Sequence, residues 1–279
     1  MPIRAHYKDA LPADRINNTS KVYDFISLGV GSGGSGAARR AASYGAKCLL
    51  IDKYGVSGYG GTCVNVGCVP KKIMSNVSHV WETVTHEASH FGVDTKGVKA
   101  EFDWNALKTK RDAYIKRLNG IYANNYVKDD IDHIAGHARL AAPGSSGYAS
   151  GRSSEGGIQV AIEKPDGTVE TVIGKNVMIA TGGRPRDGGF PGSEHCIDSD
   201  GFFELEQQPK KTVVLGAGYI AVEMAGIMNA LGTETYLCVR NGTSFVFVFF
   251  PYFRKFGRPG RHRPLSPAVG RVCVVGWAS

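Results

Sequence analysis

Apolar runs and helical patterns alternate in the same order at two places in this chain. Each place shows a short apolar run, a helical pattern and a second apolar run, which is the order of a strand–helix–strand (βαβ) unit. These segments occupy residues 23–28, 37–44 and 48–51 in the first unit, and 212–215, 220–231 and 235–239 in the second. The pattern predicts an α/β protein with two such units.

Further segments lie between the two units. The predicted helices span 69–88 and 107–126, the predicted strands 158–162, 169–173 and 176–180, and a surface excursion rich in Gly and Ser spans 143–157. Pro70 suits the first turn of its helix. The first two of these strands predict a hairpin, and the third leads into Thr181.

A glycine-rich loop, GVGSGG at 29–34, joins the first strand to the first helix. Its glycines allow a tight turn and a close approach of the backbone to a pyrophosphate, which the helix N-terminus attracts. Asp52 ends the next strand, where it can accept hydrogen bonds from both ribose hydroxyls and would repel a 2′-phosphate. The unit is therefore predicted to hold FAD or NAD rather than NADP. A loop that serves only packing is the alternative.

A second loop, GAGYIA at 216–221, opens the second helix in the same way. The acidic residue expected about 20 positions later is absent, and Arg240 stands in that neighbourhood. A guanidinium can pair with a 2′-phosphate, so this loop predicts NADPH as its ligand. An ordinary surface arginine is the alternative. Both units are thus predicted to be Rossmann-like, three-layer nucleotide-binding units, of which the second is incomplete.

Two cysteines five residues apart, Cys63 and Cys68, stand in the segment GGTCVNVGCVPKK at 60–72. They can close a small disulfide that a neighbouring flavin could reduce, which favours a thiol–disulfide redox enzyme. Lys71 supplies a cation that can stabilise a thiolate. A structural disulfide and half of a zinc site are the alternatives, although a zinc site requires a second pair of ligands at short spacing. We expect no metal.

The net charge of +8 belongs to the C-terminal end of the chain. Seven Lys and Arg residues and no Asp or Glu follow Glu234, so the seven account for all but one of the excess positive charges. A nearly neutral body lacks the basic face that steers nucleic acid, and no apolar run is long enough for a membrane span. We expect no nucleic-acid and no membrane partner. A tail that binds anionic partners is the alternative.

These motifs resemble those of the pyridine nucleotide–disulfide oxidoreductases and, within that family, those of the glutathione reductases. The resemblance covers about residues 20–240, and the cysteine segment at 60–72 carries it. The narrower resemblance rests on KRDAY at 110–114, RLNGIY at 117–122, GHA at 136–138, SDGFF at 199–203 and GAGYIAVEMA at 216–225. Thioredoxin reductases of the high-molecular-weight type share the cysteine segment but less of the rest.

The resemblance implies NADPH-dependent reduction of glutathione disulfide through FAD and a Cys63–Cys68 disulfide, and so a part in cell redox homeostasis. The predicted domains are a polar N-terminal arm (1–20), an FAD-binding domain with the redox disulfide (21–180), a partial NADPH-binding domain (181–240) and an aberrant, disordered tail (241–279). The cysteine pattern fits a reducing compartment. We expect the cytoplasm, with the mitochondrion as an alternative.

The resemblance also implies roles for single residues. Cys63 would attack the substrate disulfide, and Cys68 would face the flavin as the charge-transfer thiol. Lys71 and Glu223 would pair beside flavin N5, and Tyr219 would gate the nicotinamide pocket. The remaining contacts would come from Gly29, Gly31, Ser32, Gly33, Gly34, Asp52, Thr62, Ala138 and Thr181 at FAD, from Gly216, Ala217, Gly218, Ile220 and Arg240 at NADPH, and from Arg39 and Tyr122 at glutathione.

The chain departs from the family pattern towards its C-terminus. The family's homodimerisation domain, whose His–Glu acid pair serves the partner subunit, has no counterpart, and His262 is the only histidine after residue 200. A second arginine expected at the 2′-phosphate is also missing, near Val246. We expect a truncated chain that is inactive alone. A non-catalytic FAD- and NADPH-binding remnant and a thioredoxin-reductase-like enzyme are the alternatives.

Overall fold

The structure is a computed structural model that describes residues 14–95, 97, 101–140, 156–185 and 189–239, and the backbone of 271–275. The chain forms two compact units. The first joins Met1–Asn65 with Ala113–Gly183, and the second joins Val66–Asp112 with Arg184–Ser279. Residues 66–112 thus belong to the second unit, although the sequence placed them in the first domain. The cofactor assigned to each domain stays a prediction.

The first unit is built on one six-stranded sheet. Its strands are, in chain order, β1 (Val22–Leu28), β2 (Cys48–Asp52), β3 (Asp132–Ala135), β4 (His137–Leu140), β5 (Ile158–Glu163) and β6 (Val169–Ile179). They lie in the order β3-β2-β1-β6-β5-β4. The first four strands in this order, β3, β2, β1 and β6, are parallel to one another, whereas β5 pairs antiparallel with both β6 and β4.

Strand β6 corrects the prediction of two strands at 169–173 and 176–180. One strand of 11 residues runs through Gly174. Its first half pairs antiparallel with β5, and its second half pairs parallel with β1. The sequence pattern therefore breaks where the strand changes its partner, and the backbone itself is continuous.

Six α-helices are present in the described residues: α1 (Ser32–Ala42), α2 (Gly61–Val66), α3 (Cys68–Glu82), α4 (Trp104–Lys128), α5 (Ser199–Glu204) and α6 (Tyr219–Ala230). The helix predicted at 69–88 stays α-helical only to Glu82, and Thr83–Glu87 form a π-turn. The Thr85 hydroxyl donates to the Trp81 carbonyl oxygen at 2.7 Å, which competes with regular helical bonding. Among the described helices, none combines the length and apolar character of a membrane span.

The two faces of the first sheet bury alternate residues of β2. Leu49 and Ile51 pack in one apolar cluster, whereas Cys48 and Leu50 pack in another with Tyr59. These four residues of β2 are each at most 2% exposed. A strand buried on both faces reads as a continuous apolar run, which is why the sequence predicted it.

The second unit has a four-stranded parallel sheet. Its strands are β7 (Ile197–Asp198), β8 (Lys211–Leu215), β9 (Glu234–Cys238) and β10 (Arg271–Val275), in the order β7-β10-β8-β9. Its largest apolar cluster joins α3, α4, α5 and α6 through buried side chains that include Met74, Trp104, Phe202, Met224 and Met228.

Strand β10 differs from the predicted disordered tail (241–279) at residues 271–275, and for the remainder of that segment the expectation stays a prediction. The backbone of Arg271–Val275 lies between β7 and β8 and pairs parallel with both. Its sequence, RVCVV, is rich in valine, which favours a strand within a parallel sheet. The basic residues and prolines that precede this segment made the strand pattern difficult to recognise in the sequence. Residues 240–270 and 276–279 lie outside the described residues.

The end of the predicted N-terminal arm is fastened to strand β3. The backbone of Arg15 pairs antiparallel with His133. The Asp132 carboxylate accepts the backbone amides of Asn17 at 2.8 Å and of Asn18 at 3.0 Å. Residues 1–13 of the arm lie outside the described residues.

Candidate functional site

The first glycine loop joins β1 to α1, and close contacts explain why two of its positions are glycine. Gly29 has a φ of 105°, and a Cβ there would lie 2.3 Å from the carbonyl oxygen of Ala180. A Cβ on Gly34 would lie 2.0 Å from the carbonyl oxygen of Gly29. At Gly31 an added Cβ would come no closer than 3.6 Å, to the Cα of Gly61. Close packing against backbone therefore explains the glycines at 29 and 34, and a contact of this loop with a pyrophosphate stays a prediction.

Helix α1 and Asp52 carry the polar groups that the sequence assigns to a dinucleotide site. The first turn of α1 has no acidic residue, and Ser32 and Gly33 are exposed. Its first amides therefore present donors to an anion. The Asp52 carboxylate, at the end of β2, accepts the backbone amides of Tyr54 at 2.9 Å and Val30 at 3.3 Å. These residues fit the adenosine and pyrophosphate part of FAD.

The other residues assigned to FAD belong to the same unit. Thr181 directly follows β6 and is exposed. Ala138 lies in β4, which begins beside the end of β2, because the Gly136 amide donates to the Asp52 carbonyl oxygen at 2.9 Å. Thr62 is exposed in the first turn of α2. Their contacts with a flavin stay predictions.

The two cysteines of the redox segment lie on successive helices. Cys63 is half-buried in α2, and Cys68 is exposed at the start of α3. Cys48 differs from both, because it is buried in β2 and burial raises the pKa of its thiol to about 11. Within the part of the chain that the structure describes, no three His, Cys, Asp or Glu side chains are grouped as a metal site needs.

Lys71 and Glu223 form an ion pair inside the second unit. The distance from Lys71 Nζ to Glu223 Oε1 is 2.9 Å, and the side chains are 26% and 38% exposed. Lys71 lies three residues after Cys68 on α3, and Glu223 lies four residues after Tyr219 on α6. The pair therefore joins the helix after the redox cysteines to the helix after the second glycine loop. A position beside a flavin stays a prediction.

The second glycine loop joins β8 to α6. Gly216 has a φ of 131°, and its amide donates to the Cys238 carbonyl oxygen at 2.9 Å. Gly218 precedes α6, and Tyr219 is 60% exposed as its first residue. The other predicted NADPH contacts are the half-buried Ala217 and Ile220 and, outside the described residues, Arg240.

A surface cavity of about 530 Å³ contains both residues assigned to glutathione. Arg39 and Arg40 line it from α1, and Tyr122 lines it from α4. Arg39 pairs with Asp129, and the Arg40 guanidinium lies over the ring of Tyr44. Guanidinium groups can pair with carboxylates, but the ligand of this cavity stays a prediction.

Two buried polar residues of α4 have no role in the sequence analysis. Arg111 and Asn119 are 2% and 0% exposed and alternate with the buried Ile115 and Ala123 at four-residue spacing. Polar residues on the apolar face of a predicted helix were the available signal. Arg111 Nη2 donates to the Phe203 carbonyl oxygen at 2.6 Å and so ties α4 to the end of α5.

Comparisons with known proteins show which sequences this chain is related to. Residues 23–247 match the profile of the pyridine nucleotide-disulphide oxidoreductases. Curated relatives named glutathione reductase are 47% identical over 83% of this chain in Schizosaccharomyces pombe, 46% over 79% in Yarrowia lipolytica and 44% over 79% in Debaryomyces hansenii. The chain spans about half the length of these curated relatives, 45–46% in each case. The chain belongs to the pyridine nucleotide-disulphide oxidoreductase family.

Proposed function

We propose that this chain carries the cofactor-binding and disulfide-exchanging part of a glutathione-disulfide reductase, which uses NADPH and FAD. The observation that carries the proposal is the Lys71–Glu223 pair at 2.9 Å, because it joins the redox helix to the helix of the second nucleotide loop. The names of the relatives support glutathione as the substrate. The cavity that holds Arg39 and Tyr122 supports it as well.

Thiol–disulfide exchange would proceed in two steps. The Cys63 thiolate attacks one sulfur of glutathione disulfide, which breaks the substrate S–S bond, forms a mixed disulfide and releases one glutathione thiolate. The Cys68 thiolate then attacks the Cys63 sulfur, releases the second glutathione and closes the Cys63–Cys68 disulfide. Each released thiolate takes up a proton. Reduction of the Cys63–Cys68 disulfide back to two thiols needs two electrons, which bound FAD would supply from NADPH.

Charged and aromatic side chains would position the reactants. The Lys71 ammonium can stabilise negative charge at the redox centre, and Glu223 holds it in place. Arg39 and Tyr122 would bind the carboxylates and backbone of the peptide substrate. Tyr219 would cover the nicotinamide pocket, and the two glycine loops would hold the dinucleotides.

The assembly and location form part of the proposal. The resemblance favours a homodimer, in which the partner subunit supplies the acid for the leaving thiolate. The six cysteines show no secreted-type framework, which favours the cytoplasm, with the mitochondrion as the alternative. The nearly neutral body favours small-molecule substrates over nucleic acid or a membrane.

Trapping the mixed disulfide tests the thiol chemistry without full turnover. The reduced chain with Cys68→Ser is mixed with glutathione disulfide, and mass spectrometry locates the adduct. We expect one glutathione on Cys63. The chain without substitution is expected to form the Cys63–Cys68 disulfide and to release two glutathiones. Cys48→Ser is the matched control, since that buried thiol takes no part. An adduct on another cysteine, or none at all, contradicts the proposal.

The same assay distinguishes the alternatives. Oxidised thioredoxin and trypanothione disulfide replace glutathione disulfide at equal concentration, and we expect the fastest oxidation with glutathione disulfide. The visible spectrum after addition of FAD, and its bleaching by NADPH against NADH, report the cofactors. Flavin bands without any thiol exchange would favour the non-catalytic remnant instead.

A further inference from the structure

Two buried amide side chains, those of Asn65 and Asn119, hold the helix that carries Cys63. Asn65 lies two residues after Cys63 and is 9% exposed, and Asn119 lies on α4 and is 0% exposed. Asn119 Nδ2 donates to Asn65 Oδ1 at 3.2 Å and to the Tyr59 carbonyl oxygen at 2.8 Å. The two residues form one hydrogen-bonded group, which we call the amide clamp.

The amide clamp closes on the backbone just before the reactive cysteine. Asn65 Nδ2 donates to the carbonyl oxygens of Gly61 at 2.8 Å and Tyr59 at 3.2 Å. Gly60 and Gly61, which directly follow Tyr59, have positive φ angles of 84° and 62° respectively. Because the glycines give this turn no side chains of its own, hydrogen bonds from the amide clamp help to hold its shape.

The same turn also lies against the first glycine loop. The Gly60 amide donates to the Val30 carbonyl oxygen at 3.0 Å. A Cβ on Gly61 would lie 2.6 Å from the Cα of Gly31. The turn before Cys63 is therefore fixed from two sides, by the glycine loop and by the amide clamp.

An unpaired acceptor shows that the amide clamp is costly to keep. Asn119 Oδ1 is buried and has no hydrogen-bond partner among the described residues. Burial of an unpaired acceptor is unfavourable, and leucine at this position would keep a similar branched shape without that cost. The amide at residue 119 is therefore explained by its Nδ2 donor, which binds the turn.

We propose that Asn119 is a positioning residue for the redox segment, acting through Asn65 to hold Cys63 at a fixed place beside the first nucleotide loop. The proposal rests on the proposed function, because it concerns the thiol that attacks the substrate disulfide. The amide clamp itself takes no part in the chemistry.

The alkylation rate of Cys63 tests the proposal independently of cofactor and substrate. The reduced full chain is treated with iodoacetamide, and mass spectrometry follows Cys63 with Cys196 as the internal reference. Asn119→Leu removes the donor and keeps the branched shape of the side chain. We expect it to raise the Cys63 rate relative to Cys196 by about fivefold or more, as for loss of one buried hydrogen bond. Asn124→Ala, at an exposed position of the same helix, is the matched control and is expected to change nothing.

A double-mutant cycle and an unfolding curve keep the test decisive. Asn65→Ala and Asn119→Ala, combined, are expected to have little more effect on the Cys63 rate than the larger single change, because both act through one group. Urea unfolding of each variant shows whether it remains folded. A Cys63-to-Cys196 ratio in folded Asn119→Leu equal to that of Asn124→Ala, or fully additive single effects, would overturn the proposal. Failure of the proposed function has a different signature, which is a missing glutathione adduct on Cys63 in Cys68→Ser.

Discussion

Both compact units bury hydroxyl groups, but among the described residues only the first also buries an acidic side chain and a histidine. The first buries titratable side chains around β3, namely Tyr23, Tyr59, Asp132 and His133. The polar side chains buried in the described part of the second are Ser78, Arg111, Ser199, Thr212, Thr233 and Thr235. Hydroxyls and a guanidinium keep their charge state near neutral pH. Burial therefore gives the first unit a histidine whose protonation can change its stability in mild acid.

The two nucleotide loops differ at the last position of their motif, which is Gly34 in the first loop and Ala221 in the second. A Cβ on Gly34 would lie 2.0 Å from the Gly29 carbonyl oxygen and 2.4 Å from Ser27 Oγ. Ala221, at the same place in the second loop, is 0% exposed and packs in a cluster with Val214. The same backbone motif therefore leaves space for one methyl group in the second unit and none in the first.

Exchange of these two residues is expected to give the largest difference between the units. Gly34→Ala should lower the free energy of unfolding by about 3 kcal/mol, because the methyl group must displace backbone atoms. Ala221→Gly should cost only about 1 kcal/mol, from lost contacts and added chain freedom. Urea unfolding followed by circular dichroism measures both. Equal losses would show that the loops are packed alike.

Removal of the buried charge at Asp132 is expected to have the next largest effect. Its carboxylate is 4% exposed and accepts the Tyr23 hydroxyl at 2.9 Å as well as two backbone amides of the N-terminal arm. Asp132→Asn should cost about 2 kcal/mol, because charge-assisted hydrogen bonds are lost. Thr212→Val, a change of one buried hydroxyl in the second unit, should cost about 1 kcal/mol. A greater loss for Thr212→Val would reverse the comparison.

His133 is expected to make the first unit sensitive to mild acid. Burial lowers the pKa of His133, so the native state disfavours the charged ring relative to the unfolded chain. Its contribution to stability is then present above the ordinary histidine pKa of about 6.5 and is lost as the pH falls below that value. Unfolding free energies measured between about pH 7 and about pH 5 should fall less steeply for His133→Gln. His79→Gln, at an exposed position of α3, should leave the slope unchanged.

Local signals explain how much of the fold could be predicted from the sequence. The runs that became β1, β2, β8 and β9 are short, apolar and bounded by glycine loops, so their positions follow from the neighbouring residues alone. Strand β10 could not be predicted in this way. Its partners lie at 197–198 and 211–215, and only that long-range pairing distinguishes RVCVV from the surrounding residues.

The candidate site, like the fold, has parts that the sequence predicts and parts that it does not. The glycine loops, Asp52 and the cysteine segment carry motifs with fixed spacing, and the structure places them at strand and helix ends. The amide clamp was missed because Asn119 contacts Tyr59, 60 residues earlier. A buried asparagine on a helix becomes meaningful only when its partner is known.

The Lys71–Glu223 pair is expected to have the smallest effect on stability. Both side chains are partly exposed, so Glu223→Gln should lower the free energy of unfolding by less than about 1 kcal/mol. Glu234→Gln breaks the Lys211–Glu234 pair of the same unit, at 3.0 Å, and also changes an acceptor of the Tyr236 hydroxyl, so it should lose at least as much stability in urea. We expect the two variants to differ in the visible spectrum of the FAD-loaded protein, which only Glu223→Gln should shift. Such a shift without a matching loss of stability would mean that this ion pair serves redox chemistry, whereas two unshifted spectra would make it an ordinary packing contact between α3 and α6.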